Sequence, residues 1–168
     1  MKKMLILALC LALLMSLTAC SEPAPKYEKP IQLYYRTAVT ADEIAESVIG
    51  PVTVEGAALP EDPQALLNEY LKGTSAVGFL TTFPASTKLL SMELTEDTAI
   101  LMLNPSITRL SGIDLSIACA CITMTTMELT GVTTVRIRAS NSSLDGADEI
   151  VMDRQTLILQ DLYVPETT

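Results

Sequence analysis

The chain has 168 residues, 11 basic and 20 acidic, and no histidine or tryptophan. With Lys2 and Lys3 set aside as part of a leader, nine basic face 20 acidic side chains, a balance of −11. That charge disfavours nucleic acid and anionic lipid headgroups as partners, since both are gripped by clustered Lys and Arg. The missing histidine excludes Ser-His-Asp and Cys-His nucleophilic triads.

Met1-Lys2-Lys3 is a short cationic start, Met4 to Ser16 is apolar, and small residues lead to Cys20. This is the layout of a secretory leader, and the apolar run is too short to span a bilayer comfortably. "LTAC", Leu17 to Cys20, resembles the lipobox of bacterial lipoproteins. That resemblance implies that diacylglycerol is attached to the Cys20 thiol, that the leader 1–19 is removed, and that the protein is held at the cell membrane facing away from the cytoplasm. Several acyl chains retain a protein far better than one, at about 0.8 kcal/mol per buried methylene. "SEPAPKYEKP" follows, and its prolines make 20–30 a semi-rigid tether.

Residues 31–163 read as one domain, with 164–168 as a loose end. "IQLYYRT", Ile31 to Thr37, has the β-branched and aromatic content of a strand, and "IAESVIGPVTVE" reads as a second extended stretch interrupted at Gly50-Pro51. "EDPQALLNEYLKGT" is a helix with both ends marked: Asp62 caps it, Pro63 fits its first position, and Leu66, Leu67, Tyr70 and Leu71 form its apolar stripe before Gly73. "TKLLSMELTEDTAILMLN" reads as a hairpin turning at Glu96-Asp97, with Leu90, Met92 and Leu94 on one side of its first arm and Ala99, Leu101 and Leu103 on its second.

"SGIDLSIACACITMTTMELTG" is apolar almost all round and reads as a buried helix, despite β-branched residues at Ile117, Ile122, Thr123, Thr125 and Thr126. Ser111 and Asp114 have capping-box spacing and Gly131 marks the end. "VTTVRIRAS" is a strand with Val135 and Ile137 opposite Arg136 and Arg138, and "TLILQDLYV" reads as a last one. These elements give an α+β class: a mainly antiparallel sheet with two helices packed on one face.

Candidate chemistry is sparse. Cys10 belongs to the leader, and Cys119 and Cys121 diverge by about 200 degrees on a helix, so they read as buried free thiols and not as a disulfide or metal pair. Ser86 and Lys88 permit a Ser-Lys nucleophile in principle, but their spacing suits a loop leading into a strand. Asp145, Asp148 and Glu149 could offer oxygens to calcium, although their spacing departs from the EF-hand loop and suits a solvated turn better. Arg136 and Arg138 face the same way and either receive an anionic partner or satisfy carboxylates on the same sheet; the second reading is favoured. No metal, cofactor or catalytic group is expected.

Taken in order, "IQLYYRT", "PQALLNEYLKG", "FPASTKLLSMEL", "AILMLN", "IACACITMTTMELTGV" and "VTTVRIRAS" resemble the GerMN domain family of sporulation and germination proteins. The chain departs from the family pattern at Gly73-Thr74, where Gly-Pro is common, and at Ser86-Thr87, where a glycine-threonine pair is usual. The resemblance implies a non-enzymatic module outside the membrane, with a fold similar to the ring-building motifs of secretion-type channels. It further implies an assembly role in an envelope complex linked to sporulation or germination, through protein partners or self-association, and supplies no catalytic residue. The alternative is a lipoprotein that captures a small molecule or wall fragment, against which stands an aromatic content of 4%.

Overall fold

The computed structural model describes residues 27, 29–38, 47–56 and 59–158. The leader, Cys10 and Cys20 lie outside the described residues, as does the C-terminal end from 159. The fold is α+β. Strands β1 (Ile31–Thr37), β2 (Ile49–Val54) and β3 (Phe79–Leu80) form one sheet in the order β2-β1-β3. Strands β4 (Leu89–Leu94), β5 (Thr98–Leu103), β6 (Thr134–Ala139) and β7 (Ile150–Asp153) form a second in the order β4-β5-β6-β7. All pairings are antiparallel except β5 with β6. Helices α1 (Pro63–Tyr70), α2 (Gly112–Thr130) and the short α3 (Arg154–Ile158) complete it.

The strands therefore make two sheets where one was expected, and α2 explains why. A parallel pair needs a long crossover, and α2 supplies it between β5 and β6. This helix has no polar stripe: from Leu115 to Leu129 it buries Ile117, Ala118, Cys119, Cys121, Ile122 and Met127 among others. One sheet covers only one side of such a helix, so it packs on β6 and β7 with one flank and on β1 with another. By length and composition α2 could cross a membrane, yet it is the central helix of this core.

Between Ile31 and Tyr35, β1 has a strand neighbour on one side only among the described residues, and side chains bond to the other. The Tyr34 N–H donates to Thr125 Oγ1 at 2.9 Å, and the Tyr70 hydroxyl donates to the Tyr34 carbonyl at 2.7 Å. Strand β1 is thus held by one side chain from each of α1 and α2. Tyr70 also stacks at a tilt on Tyr35, centroids 4.9 Å apart, and meets Phe83 edge-on at 5.5 Å.

Several local expectations are met. Asp62 caps α1 by accepting from Ala65 N at 2.9 Å, Pro63 takes its first position, and Gly131 closes α2 at φ 76°, a conformation that favours glycine. Others are corrected. β2 runs straight through Gly50-Pro51, because an edge strand tolerates a missing amide donor there. An irregularity between Leu89 and Ser91 resets β4, so Leu89 is buried and Leu90 is 49% exposed.

The Ser111–Asp114 capping box does not form. Ser111 makes no side-chain cap, Asp114 pairs with Arg36 at 2.6 Å, and Asp145 accepts from Gly112 N at 2.6 Å from across the fold. The start of "TLILQDLYV" is helical, because Asp153 accepts from Gln155 N at 2.9 Å and Thr156 N at 2.8 Å and so starts α3; the remainder lies outside the described residues. The last strand among the described residues is "IVMD". Upstream, Tyr27 packs against the core, and a Cβ on Gly56 would collide with the Tyr27 and Lys29 carbonyls. The end of the expected tether is thus laid against the domain.

Candidate interaction surface

The sequence candidates for chemistry are drawn into structural work. Ser86 Oγ lies 2.9 Å from Ser106 Oγ, and Asn104 ties the loop down by accepting from Lys88 N at 3.0 Å and donating to the Ser86 carbonyl at 2.8 Å. Asp145 caps α2, Asp148 is exposed, and Glu149 turns to the arginines, so the three acids do not converge. Among the described residues no three His, Cys, Asp or Glu side chains form a cluster that could hold a metal.

Cys119 and Cys121 are free and buried, and burial pushes both thiols up to about 12. A thiol so placed is almost never the reactive thiolate. We expect iodoacetamide at neutral pH to leave both unmodified in the folded protein and to alkylate both in denaturant, read by peptide mass spectrometry; rapid labelling of the native chain would contradict this packing.

Glu149 bridges both arginines. It receives Arg136 Nη2 at 2.5 Å and Nε at 3.2 Å, and Arg138 Nε at 2.9 Å. The reading in which the arginines satisfy a carboxylate of their own sheet is therefore the one the structure supports. Hydrogen bonds from Arg136 and then Arg138 hold the Glu149 carboxyl below its ordinary range. Its contribution to stability is complete above the unfolded-state value and fades as pH falls through the lowered one. Thermal unfolding of wild type and Glu149→Gln between pH 7 and pH 2 should therefore differ most at neutral pH and converge in acid. Parallel curves at all pH would show that the cluster is not maintained.

These arginines lie on the open face of the four-stranded sheet. On its covered face Ala99, Leu101, Leu103, Val135 and Ile137 are buried. On the other, Glu93, Ile100, Arg136 and Val151 form one cross-strand row and Ser91, Met102 and Arg138 the next. Val151 is 49% exposed, Ser91 and Glu93 are exposed, and Ile100 and Met102 are half-buried, so this face meets solvent. The sheet's β4 edge is partly closed: Asn68 Oδ1 accepts from Leu89 N at 3.0 Å and its Nδ2 donates to the Leu89 carbonyl at 3.2 Å, while Gln64 donates to that of Leu90 at 3.3 Å. Sequence reasoning missed Asn68, whose one signal was a polar residue inside the α1 stripe, and missed Glu93 as a neighbour of the arginines.

The class so defined is an α+β domain with a helix held between two sheets and one sheet face uncovered among the described residues. The family Germane, described as sporulation and spore germination, matches residues 32–145, and the chain belongs to it. Among solved structures, the tandem GerMN domains of the sporulation protein GerM from Bacillus subtilis match with 28% identity and a TM-score of 0.50, over 68% of this chain. The match covers 39% of that tandem chain, so this protein spans well under half its length. The first GerMN domain of the same protein matches with a TM-score of 0.55 at 17% identity, over 74% of this chain and 94% of that one, and so bears on the fold. No curated protein matches this chain.

Proposed function

We propose that this protein is a lipid-anchored, extracytoplasmic interaction domain that helps assemble an envelope complex linked to sporulation or germination. The observation that carries this reading is the open sheet face. β5 is apolar on both sides, as is usual for a strand covered on both faces, yet Ile100 and Met102 are only partly buried opposite fully buried Leu101. A surface of that composition suits another protein better than water. Family membership supports the sporulation or germination setting, and "LTAC" ending at Cys20 supports the anchor. The non-enzymatic character is part of the proposal, favoured by the structural roles of Ser86 and Glu149.

The test is cross-linking and affinity capture of the full chain from native membranes, beside Cys20→Ala. Capture of a discrete protein complex, or of further copies of the chain, that weakens when the anchor is lost is the expected result. Recovery of uncross-linked chain alone, with thermal stabilisation by cell-wall fragments, would replace this reading with ligand capture.

A further inference from the structure

Resting on that interaction reading, we propose that the open face of the four-stranded sheet is the contact surface of a symmetric pair, covered by the same face of a second copy.

The argument begins with charge. Arg136 and Arg138 share one carboxylate, Glu149, and the register places Asp153 on this face as well, beside Thr134. Glu93 lies on the same face and in the same row as Arg136, on the opposite side of β5, and makes no ion pair among the described residues. A two-fold axis running along β5 in the plane between two facing sheets exchanges the flanks of that strand. It places β4 of one copy over β6 of the other. Each Glu93 then stands over the partner copy's Arg136, so the one operation sets two opposite-charge pairs across the contact. Ile100 and Met102 lie on the axis and meet their own counterparts. The surface is thus complementary to itself in both charge and apolar character, as an isologous contact requires.

The orientation agrees with a membrane anchor. A two-fold along the strands keeps the same end of both copies at the same height, so both tethers leave toward one bilayer. Aligned sheets pack about 10 Å apart with strands within roughly 30 degrees. With the axis along β5 only β4, β5 and β6 of the two copies overlap, a patch of roughly 15 by 20 Å, about 300 Å² a side and well under half of what a standard stable interface buries. The pair is therefore weak for a chain free in solution and is favoured when anchors confine the copies to one membrane and raise their effective concentration.

The test places a cysteine on the axis. The full chain carrying Ile100→Cys is treated in native membranes with a short bismaleimide that spans about 10 Å, the inter-sheet distance; the buried Cys119 and Cys121 serve as internal negatives. A cross-linked dimer is expected. In this background Glu93→Arg should lower its yield at least ~10-fold, because each substituted side chain faces Arg136 of the other copy. Arg136→Glu should do the same, although it also breaks the Glu149 pair. Co-expression of the two variants should restore the dimer, since every mixed contact is again of opposite sign; a folding defect in either chain could not be repaired this way. Adducts from position 100 to a different protein would overturn the symmetric pair while leaving the interaction reading intact. No adduct there, and none elsewhere on the chain with an amine-reactive cross-linker, would overturn both.

Discussion

Tyr70→Ala is expected to lower the unfolding free energy by about 3–5 kcal/mol, the cost of emptying a large aromatic site in a packed core. Tyr70 is 2% exposed, touches Tyr35 and Phe83 through its ring, and reaches the Tyr34 carbonyl through its hydroxyl. Burial raises its pKa well above the ordinary phenol value, so the hydroxyl is a donor throughout the usable pH range. Since a domain of this size carries only about 5–15 kcal/mol in all, the alanine variant should be near the limit of folding. Tyr70→Phe keeps the ring and drops the donor, and should cost about 1–2 kcal/mol. Urea unfolding of the three proteins separates the parts. A phenylalanine variant as stable as wild type would mean that the hydroxyl contributes nothing, and with it the closure of the β1 edge would be in doubt.

Tyr70 also marks what the sequence reveals and where it stops. Its place on the α1 stripe is legible, because Leu66, Leu67 and Leu71 recur with it at helical spacing and Asp62, Pro63 and Gly73 punctuate the ends. Its hydrogen bond to Tyr34, 36 residues away, has no local signal. The same division holds for α2. Its unbroken apolar surface announces burial, but only the fold shows that two sheets are needed to deliver it. Its start was misread because Ser111 and Asp114 satisfy a local rule, whereas Asp145 does the capping from 33 residues on. Strand β7 was missed because only four residues, Ile150 to Asp153, carry its pattern, and "TLILQDLYV" shows a stronger one. The Arg136 and Arg138 pair was visible from alternation alone. Glu93, on the far side of β5, becomes their neighbour only through strand register, which no periodicity in a single stretch encodes.

Opposite outcomes are expected from one substitution made at two neighbouring positions of α2. Thr123 and Thr125 are both fully buried, at 0% exposure. Thr125 Oγ1 receives the Tyr34 amide at 2.9 Å. Thr123 Oγ1 is buried without a partner among the described residues, unlike Thr126, whose hydroxyl donates to the Ile122 carbonyl at 2.7 Å one turn back. Valine has nearly the shape of threonine and no hydroxyl. At Thr125 it leaves a main-chain N–H in the interior with nothing to donate to, and stability should fall by about 1–3 kcal/mol. At Thr123 it removes a polar group that gave up water and gained no bond, and stability should rise by about 1 kcal/mol, with an added benefit from the methyl group. Chemical denaturation at fixed pH measures both, with unchanged slopes expected because neither variant alters the surface exposed on unfolding. Helix propensity cannot produce opposite signs at two sites of one helix with the same exchange. If both variants moved the same way, the hydrogen bond from β1 would not be what distinguishes them, and the contact between the three-stranded sheet and the central helix would have to rest on apolar packing alone.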